Sequence, residues 1–332
     1  MEIIITLIKA AITFGTVIMY GSVGEILTEK SGNLNLGVPG TMYMGGIASL
    51  ASAFFYERAC ESSGVAPSTA LLILIPFLSA FLFAAFGGLI YSFLTITLRA
   101  NQNVTGLTLT IFGAGLANFF GGSLNKLAGG VGQISVSQTS RAFSASLFSF
   151  LPLPDILMRT LFNYGFLVYL AIVVAVAAHF FLNKTNAGLN LRAVGENPAT
   201  ADAAGVNVTR HKYLATCIGT GISGLGGLFY TLDYIGGTWA NDGRIETLGW
   251  LAVALVIFAT WKPLRSLWSS YLFGLLYWVP QLSQNIKRRP QSLFMMLPYV
   301  VTILVLIFVS LRKKKENQPP ESLGLAYFRE ER

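Results

Sequence analysis

Few residues of this 332-residue chain have the type and spacing that covalent or metal chemistry requires. The histidines His179 and His211 and the cysteines Cys60 and Cys217 are widely separated in the sequence. No CxxC pair, GxSxG motif or HExxH motif occurs, which argues against a metal centre and against a membrane enzyme. The chain also lacks GxxxxGK[ST], the motif that holds ATP and Mg²⁺. We therefore expect no catalytic residue, metal site or cofactor in this chain.

A second group of informative residues consists of polar and aromatic side chains within or beside long apolar runs. Polar groups at membrane depth are unfavourable and are therefore candidates for function. Their alternative roles are interhelical hydrogen bonds or ordinary packing. Aromatic rings next to them would offer a stacking surface to a flat ligand. The candidates for lining a solute path are Asn33, Asn35, Tyr43, Phe112, Asn118 and Asp233.

The composition predicts the elements that position these residues. Only 11% of residues are charged and 53% are hydrophobic, whereas soluble domains carry about 25% charged residues. The net charge of +8 does not indicate nucleic-acid binding, because the basic residues are spread between apolar runs and not clustered on one accessible face. The sequence therefore predicts an all-α, polytopic membrane helical bundle.

Nine apolar runs approach the ~20 residues that cross a bilayer, and a tenth half-span between residues 25 and 40 stays open. The runs are Ile3–Gly24, Thr41–Phe55, Ser68–Leu94, Val104–Phe120, Leu161–Leu182, Tyr213–Tyr234, Ile245–Thr260, Leu267–Val279 and Leu293–Leu311. We interpret residues 1–311 as one transmembrane domain and 312–332 as a basic cytoplasmic tail. The distribution of Lys and Arg places the connection 183–212 and this tail in the cytoplasm, although the Lys287–Arg289 cluster opposes that orientation.

Two patterns describe how the spans are built. The Gly- and Asn-rich stretch Ser31–Gly40 predicts a break in the helix, which at membrane depth has to be buried in protein or line a watery cavity. Such a break can mark a transport site or be a cytoplasmic turn with Asn caps. Ladders of small residues predict close helix packing, and we favour packing over dinucleotide binding for the GxGxxG at 219–224. The ladders are Ala80/Ala84/Gly88, Gly113/Ala117/Gly121 and Gly219/Ser223/Gly227.

The connection 183–212 encodes a short helix of its own. Asn197 predicts an N-cap with Pro198 at the first helical position, and Gly205 predicts a left-handed end. The helix of about two turns between them has a mostly alanine surface. Such a short, smooth helix would fit a groove on another protein, whereas the alternative is an ordinary polar loop. The residues assigned to docking are Arg192, Glu196, Asn197, Pro198, Ala199, Asp202, Ala203 and Gly205.

This segment resembles the cytoplasmic coupling segment of ATP-binding cassette (ABC) importer permeases. The residues LRAVGENP at 191–198 and AAGVNV at 203–208 carry the resemblance, which covers most of 15–280. It is closest to the nucleoside and simple-sugar branch, and within it to the shorter permease of purine-nucleoside systems. Further matching residues are Gly24-Glu25, Ser31-Gly32, Asn33, Asn35, Gly37, Gly40, Gly224–Gly227, Phe258 and Trp261–Pro263. The departures are Pro39, where the family often has Glu, and Ala259-Thr260, where it has a glycine.

The resemblance implies a type II importer-like permease in a bacterial cytoplasmic membrane, with about nine or ten spans. A purine nucleoside is the expected solute, and a simple sugar such as ribose is the alternative. The implied partners are a second, related permease, cytoplasmic ATPases that bind ATP and Mg²⁺, and an extracytoplasmic substrate-binding protein or lipoprotein. An ion-coupled secondary transporter is disfavoured because the spans are nearly uncharged apart from Lys9, His179 and Asp233.

Overall fold

The computed structural model describes residues 2–127, 134–148, 154, 157–282, 296–312 and 318–328. Within these residues the chain forms helices and no strand. The helices are α1 Glu2–Glu29, α2 Val38–Ser63, α3 Thr69–Ser92, α4 Gln102–Leu127, α5 Ser137–Ser144, α6 Phe166–Lys184, α7 Asn186–Glu196, α8 Pro198–Ala203, α9 Val208–Leu228, α10 Arg244–Phe258, α11 Pro263–Leu282 and α12 Leu297–Arg312. Three π-helical turns occur at Phe93–Thr97, Met158–Phe162 and Phe229–Tyr234.

The long helices of the described residues follow the nine predicted apolar runs, which confirms the helical membrane bundle. Four helical segments are long and apolar enough to cross a membrane by length and composition: Glu2–Glu29, Thr69–Thr97, Gln102–Leu124 and Phe166–Lys184. The last predicted run begins outside the described residues. The open question of a tenth half-span is settled against it, because residues 25–29 continue α1 and 38–40 begin α2.

The bundle is centred on α1, α2 and α9, which pack on one another and on the surrounding helices. Their contact relies on glycine, because a Cβ atom built on Gly24 would lie 2.2 Å from the Gly219 carbonyl oxygen. A Cβ on Gly45 would lie 2.3 Å from the Gly224 carbonyl oxygen. All three predicted small-residue ladders face a neighbouring helix or loop in this way, so close packing is confirmed for them. The GxGxxG stretch lies within α9 and is part of that contact.

Helix α4 continues to Leu127. The chain between α4 and the π-helical turn Met158–Phe162 contains the short helix α5, which packs against α3 and the π-helical turn Phe229–Tyr234. The backbone N–H of Thr139 in α5 donates a hydrogen bond to the buried Glu57 carboxylate of α2 at 2.6 Å. Glu57 lies near the C-terminal end of α2, whereas the connection 183–212 contacts the segment before the start of α2 through Gly195 and Lys30. Helix α5 therefore lies at the opposite end of the bundle from the connection 183–212.

Candidate functional site

The short helix α8 forms where the sequence predicts it. The Asn197 side chain caps it by accepting a hydrogen bond from the Thr200 backbone N–H at 3.0 Å, and Pro198 takes the first helical position. Gly205 has a φ of +83° and ends the turn in the left-handed region. The regular helix ends at Ala203, so it is somewhat shorter than the predicted two turns.

Helix α8 has one buried and one exposed face. Ala201 is buried and packs with Val194 of α7 and Val208 of α9. Ala203, Ala204 and Gly205 are exposed, so the outward surface is made of small side chains. α8 is thus fixed to the helices before and after it, while its small-residue surface stays open at the end of the bundle that carries the connection 183–212.

Two charged residues, Arg192 and Glu196, lie on α7 just before α8. Glu196 is exposed and Arg192 is half-buried, with an Nε atom that has no hydrogen-bond partner among the described residues. Both residues line a cavity of about 700 Å³ together with Lys30 and Lys262. Burial lowers the pKa of the Lys30 ammonium, and the Glu196 carboxylate acts in the opposite direction. The basic side of this cavity suits an acidic group on a docking protein.

Residues 318–328 pack onto α8 and the end of α7. The sequence did not indicate this contact. The Tyr327 hydroxyl donates a hydrogen bond to Asp202 Oδ2 of α8 at 2.9 Å. The Ser322 hydroxyl donates to the Gly195 carbonyl oxygen at 2.6 Å. The Gly324 backbone N–H donates to the Gly32 carbonyl oxygen at 3.2 Å. Residues 318–328 therefore connect α8 and the end of α7 to the segment between α1 and α2.

That segment, residues 30–37, is the predicted break. It was expected to extend to Gly40, but α2 already begins at Val38 with Pro39 in its first turn. Its irregular backbone is buried and hydrogen-bonded to side chains of other helices, as the membrane interior requires. The Leu34 N–H donates to Gln102 Oε1 at 2.7 Å, and the Leu34 carbonyl oxygen accepts from the Tyr91 hydroxyl at 2.6 Å. The Leu36 carbonyl oxygen accepts from Thr110 Oγ1 at 2.9 Å. The break is therefore buried in protein, which is one of the two environments that irregular backbone at membrane depth requires.

A buried carboxylate fixes the break to α1, and a second one lies one helical turn further along α1. Here the expectation of nearly uncharged spans was wrong. Glu25 is 1% exposed, and its Oε1 atom accepts a hydrogen bond from the Asn35 backbone N–H at 3.1 Å. Glu29 is 3% exposed and accepts a hydrogen bond from the Trp261 indole N–H. The first apolar run of the sequence ends at Gly24, but helix α1 continues through Glu25 and Glu29 because no residue in this stretch breaks a helix.

Ala259-Thr260, which stand where the family has a glycine before Trp261, belong to a turn with unusual backbone angles. Thr260 and Trp261 adopt φ values of +52° and +53°, a region that glycine enters freely and other residues rarely occupy. The Trp261 indole is held there by its hydrogen bond to Glu29. The strained turn after α10 therefore positions a donor for a buried carboxylate.

The break and the coupling segment meet through glycine. A Cβ atom built on Gly195 would lie 2.3 Å from the Lys30 carbonyl oxygen, so only glycine permits this approach of α7 to the start of the break. The contact joins the connection 183–212 to α1. It was not predictable from either segment alone.

The predicted solute-path residues do not meet in one cavity. Asn33 and Asn35 are fully buried in the break, at the end of the bundle that contacts the connection 183–212. Tyr43 is 2% exposed, and its ring centre lies 6.3 Å from that of Trp239. Asp233 lies at the opposite end in the π-helical turn, half-buried, with an Oδ2 atom that has no hydrogen-bond partner in the described chain.

The two remaining path candidates lie on α4. Phe112 is 47% exposed, and Asn118 is half-buried with an Oδ1 atom that no described residue satisfies. Gly115 and Gly122, on the same side of α4 by helical spacing, have nothing within 4 Å of a Cβ position. This outer surface of α4 is thus smooth, apolar and uncovered in the single chain.

Comparison with known proteins adds evidence from the whole chain. A family model described as the permease component of branched-chain amino acid transport systems matches residues 7–306. The chain is 32% identical to the nucleoside ABC transporter permease protein NupC of Lactococcus lactis, over 88% of each chain. It is 28% identical to the guanosine ABC transporter permease protein NupQ of Bacillus subtilis, over 92% of each. It is also 31% identical to the putative glucose ABC transporter permease protein TsgC13 of Haloferax volcanii, over 98% of each. No solved structure matches the chain.

Proposed function

The chain belongs to the family of permease components of branched-chain amino acid transport systems, and from that premise we propose that it conducts a nucleoside across the cytoplasmic membrane. A permease of this family is a multi-pass transport subunit, not an enzyme, and its family implies an ATPase and a substrate-binding protein as partners. The nucleoside assignment is carried by the similarity to permeases named for nucleoside and guanosine transport, over 88% and 92% of the chain.

A simple sugar is the second candidate for the solute. The glucose permease relative is 31% identical, so identity alone does not separate a nucleoside from a sugar. A nucleoside contains a ribose, and the two ligand classes therefore share hydroxyl groups that the same polar side chains would bind. A purine differs by its flat ring, which requires an aromatic surface. We assign that surface to Phe112, which is 47% exposed. Tyr43 is 2% exposed in the single chain and would contribute only after movement of the helices uncovers its ring.

Coupling to ATP hydrolysis is proposed to pass through α8. The partner ATPase, which holds ATP and Mg²⁺, would bind the exposed small-residue surface at Ala203 and Gly205, with Arg192 and Glu196 at the edge. Because Ala201 packs with Val194 and Val208, displacement of α8 would move α7 and α9 with it. The Gly195 contact with Lys30 would carry the same displacement to α1.

The bundle is suited to transmit this displacement as a rigid body. Glycine contacts bring α9 against α1 and α2 at backbone distance, and packed interfaces move as units instead of deforming. Alternating access would then follow from movement of these helices relative to a second permease. Asn33, Asn35 and Asp233 lie near the two ends of the bundle, where such movement would expose them to the solute.

We place the second permease, a related but different chain, against the uncovered surface of α4. Phe112 and Asn118 lie there beside two glycines that leave room for close approach of another helix. A solute path between the two permeases would pass the Phe112 ring and the Asn118 amide.

The decisive experiment is reconstitution with the partner ATPase, the second permease and the binding protein in proteoliposomes. We expect ATP-dependent uptake of radiolabelled guanosine that excess ribose or glucose does not suppress. Uptake of the sugar in preference to guanosine would select the second candidate. Transport by the chain alone, driven by an ion gradient without ATP, would overturn the proposal.

The coupling role of α8 is tested in the same system. Ala203→Trp adds bulk to the exposed surface and should abolish uptake and the solute-stimulated ATPase activity, whereas Ala203→Ser should retain both. The melting temperature of the purified chain should not change in either variant, because the residue is exposed. Normal uptake by Ala203→Trp would contradict docking at this helix.

A further inference from the structure

A separate cavity of about 660 Å³ opens at the cytoplasmic end, between the turn after α3, the start of α9 and the C-terminal segment 318–328. Its volume lies within the range of small-molecule sites, about 300–1,000 Å³. Tyr327 contributes to one wall. The cavity does not include the exposed small-residue surface of α8 except at Gly205, so it is largely distinct from the proposed docking surface.

The charges that line this cavity are mostly positive. Among the described residues, Arg99, Arg210 and Lys212 line it, against the carboxylate of Asp202. That carboxylate accepts the hydrogen bond of the Tyr327 hydroxyl. Arg99 has a φ of +58° and its guanidinium stacks on the Phe328 ring at 4.4 Å, which fixes it at the rim.

Lys212 is the central observation. Its side chain is 3% exposed, yet no described residue forms a hydrogen bond or ion pair with its ammonium group. The exposure that the ammonium group retains is therefore available to the cavity that Lys212 lines. An anion in the cavity that Lys212 lines would supply the missing partner.

A second unsatisfied group lies next to Lys212. Thr216 is one helical turn further along α9 and accepts a hydrogen bond from Asn33 Nδ2 at 2.9 Å. The other amide atom of Asn33, Oδ1, is buried without a hydrogen-bond partner in the described part of the chain. Asn33 lines the cavity together with Lys212, so a ligand with an anionic end for Lys212 and a hydrogen-bond donor for Asn33 Oδ1 would satisfy both groups once the Asn33 amide turns toward the cavity.

From these contacts we infer that the cavity binds a small phosphate-bearing molecule on the cytoplasmic side, with Lys212 and the two arginines around the phosphate and Asn33 bonded to a hydroxyl of the ligand. A phosphate carries up to two negative charges at neutral pH, which matches several cations better than a single carboxylate does. Lys and Arg are the side chains that bind phosphate best. The phosphate belongs either to a free metabolite or to a lipid headgroup, because the cavity lies at the end of the bundle.

Binding is measured on the full-length chain, in nanodiscs of phosphatidylcholine, by calorimetry and by the melting temperature. Ribose 5-phosphate should bind saturably and raise the melting temperature, and inorganic phosphate should compete with it. Lys212→Met should weaken binding about tenfold or more, since it removes a charged hydrogen-bond donor. The control Lys184→Met, which removes an exposed cation from the end of α6 outside this cavity, should bind like the wild type.

The remaining outcomes distinguish the source of the phosphate and the failure of the inference. Competition by phosphatidylglycerol added to the nanodiscs would assign the phosphate to a lipid headgroup. Saturable binding of neither ribose 5-phosphate nor phosphatidylglycerol would overturn the inference, as would unchanged affinity in Lys212→Met. Lys212→Met should melt no lower than the wild type without ligand, because an unpartnered buried charge is removed, so weaker binding cannot be ascribed to unfolding.

Discussion

The coupling segment 183–212 and the break 30–37 touch each other, but different interactions hold them. In the coupling segment each helix start is capped by the residue next to it: Thr185 accepts from the Gly188 N–H, Asn197 from Thr200 and Asn207 from Arg210. In the break the backbone is bonded to Tyr91, Gln102 and Thr110, which are 57 to 74 residues away in the sequence.

This difference separates a part that can move as a unit from a part that is embedded. The caps of the coupling segment travel with its helices, so a displacement of α8 leaves them intact. The partners of the break belong to α1, α3, α4 and α9, so it can move only when those helices move. A push on α8 that reaches the break through Gly195 therefore acts on the whole bundle.

The largest expected effect comes from breaking the polar contact inside the break. Glu25→Leu leaves the backbone and side-chain N–H groups of Asn35 buried without their acceptor, at about 1–3 kcal/mol for each. We expect a marked loss of thermal stability of the detergent-purified chain. Glu196→Leu, which changes an exposed carboxylate in the coupling segment, should alter stability by no more than about 0.5 kcal/mol.

Glu25→Gln provides the finer control, because its amide oxygen can still accept from the Asn35 N–H. Its melting temperature should lie between those of the wild type and Glu25→Leu. Equal melting temperatures for Glu25→Leu and Glu196→Leu would show that the break is not held more tightly than the coupling segment.

The same contrast explains what the sequence could predict. Helix α8 was predictable nearly to the residue, because Asn197, Pro198 and Gly205 act on their immediate neighbours. The apolar runs predicted the long helices for the same reason. The existence of the break was predictable from its glycines and asparagines, but its partners were not, since helix neighbours are set by tertiary packing.

Glu25 and Glu29 show where a local signal misled. Charged residues at the end of an apolar run suggested the end of the span at Gly24, although they are four residues apart and compatible with a continuing helix. Their burial is possible because Asn35 donates a hydrogen bond to Glu25 and the distant Trp261 donates one to Glu29. The docking of Ser322 and Tyr327 also required the folded chain, because nothing near them in the sequence indicates a partner.

A second prediction concerns the contact that joins the two regions. Gly195→Ala places a methyl group against the Lys30 carbonyl oxygen, and overpacking of this kind costs about 1–3 kcal/mol. Stimulated ATPase activity should fall as well, because α7 is pushed away from the break. Gly122→Ala is the matched control, since nothing lies within 4 Å of its Cβ position, and the stability of the isolated chain should not fall. A wild-type melting temperature and activity for Gly195→Ala would break the proposed link.

A third prediction compares two caps within the coupling segment. Asn197→Ala and Asn207→Ala each remove one side-chain cap and should each cost about 1 kcal/mol of stability. Only Asn197 holds the start of the docking helix, so Asn197→Ala should also reduce ATP-dependent uptake, beyond the reduction in Asn207→Ala. Equal uptake by the two variants at matched stability would place the docking surface elsewhere.

The smallest expected effect tests whether the C-terminal segment is a working part of the coupling segment. Tyr327→Phe keeps the ring against Val194 and Val208 but removes the hydrogen bond to Asp202, which is worth about 0.5–1.5 kcal/mol. Because Asp202 has a further interaction, a double-mutant cycle with Asp202→Asn is needed to isolate this bond. A coupling energy in that range, with uptake reduced in both single variants, would show that the tail moves with α8. A coupling energy of zero would show that the hydrogen bond between Tyr327 and Asp202 does not stabilise the contact of residues 318–328 with α8. The start of α8 would then be held by its own cap.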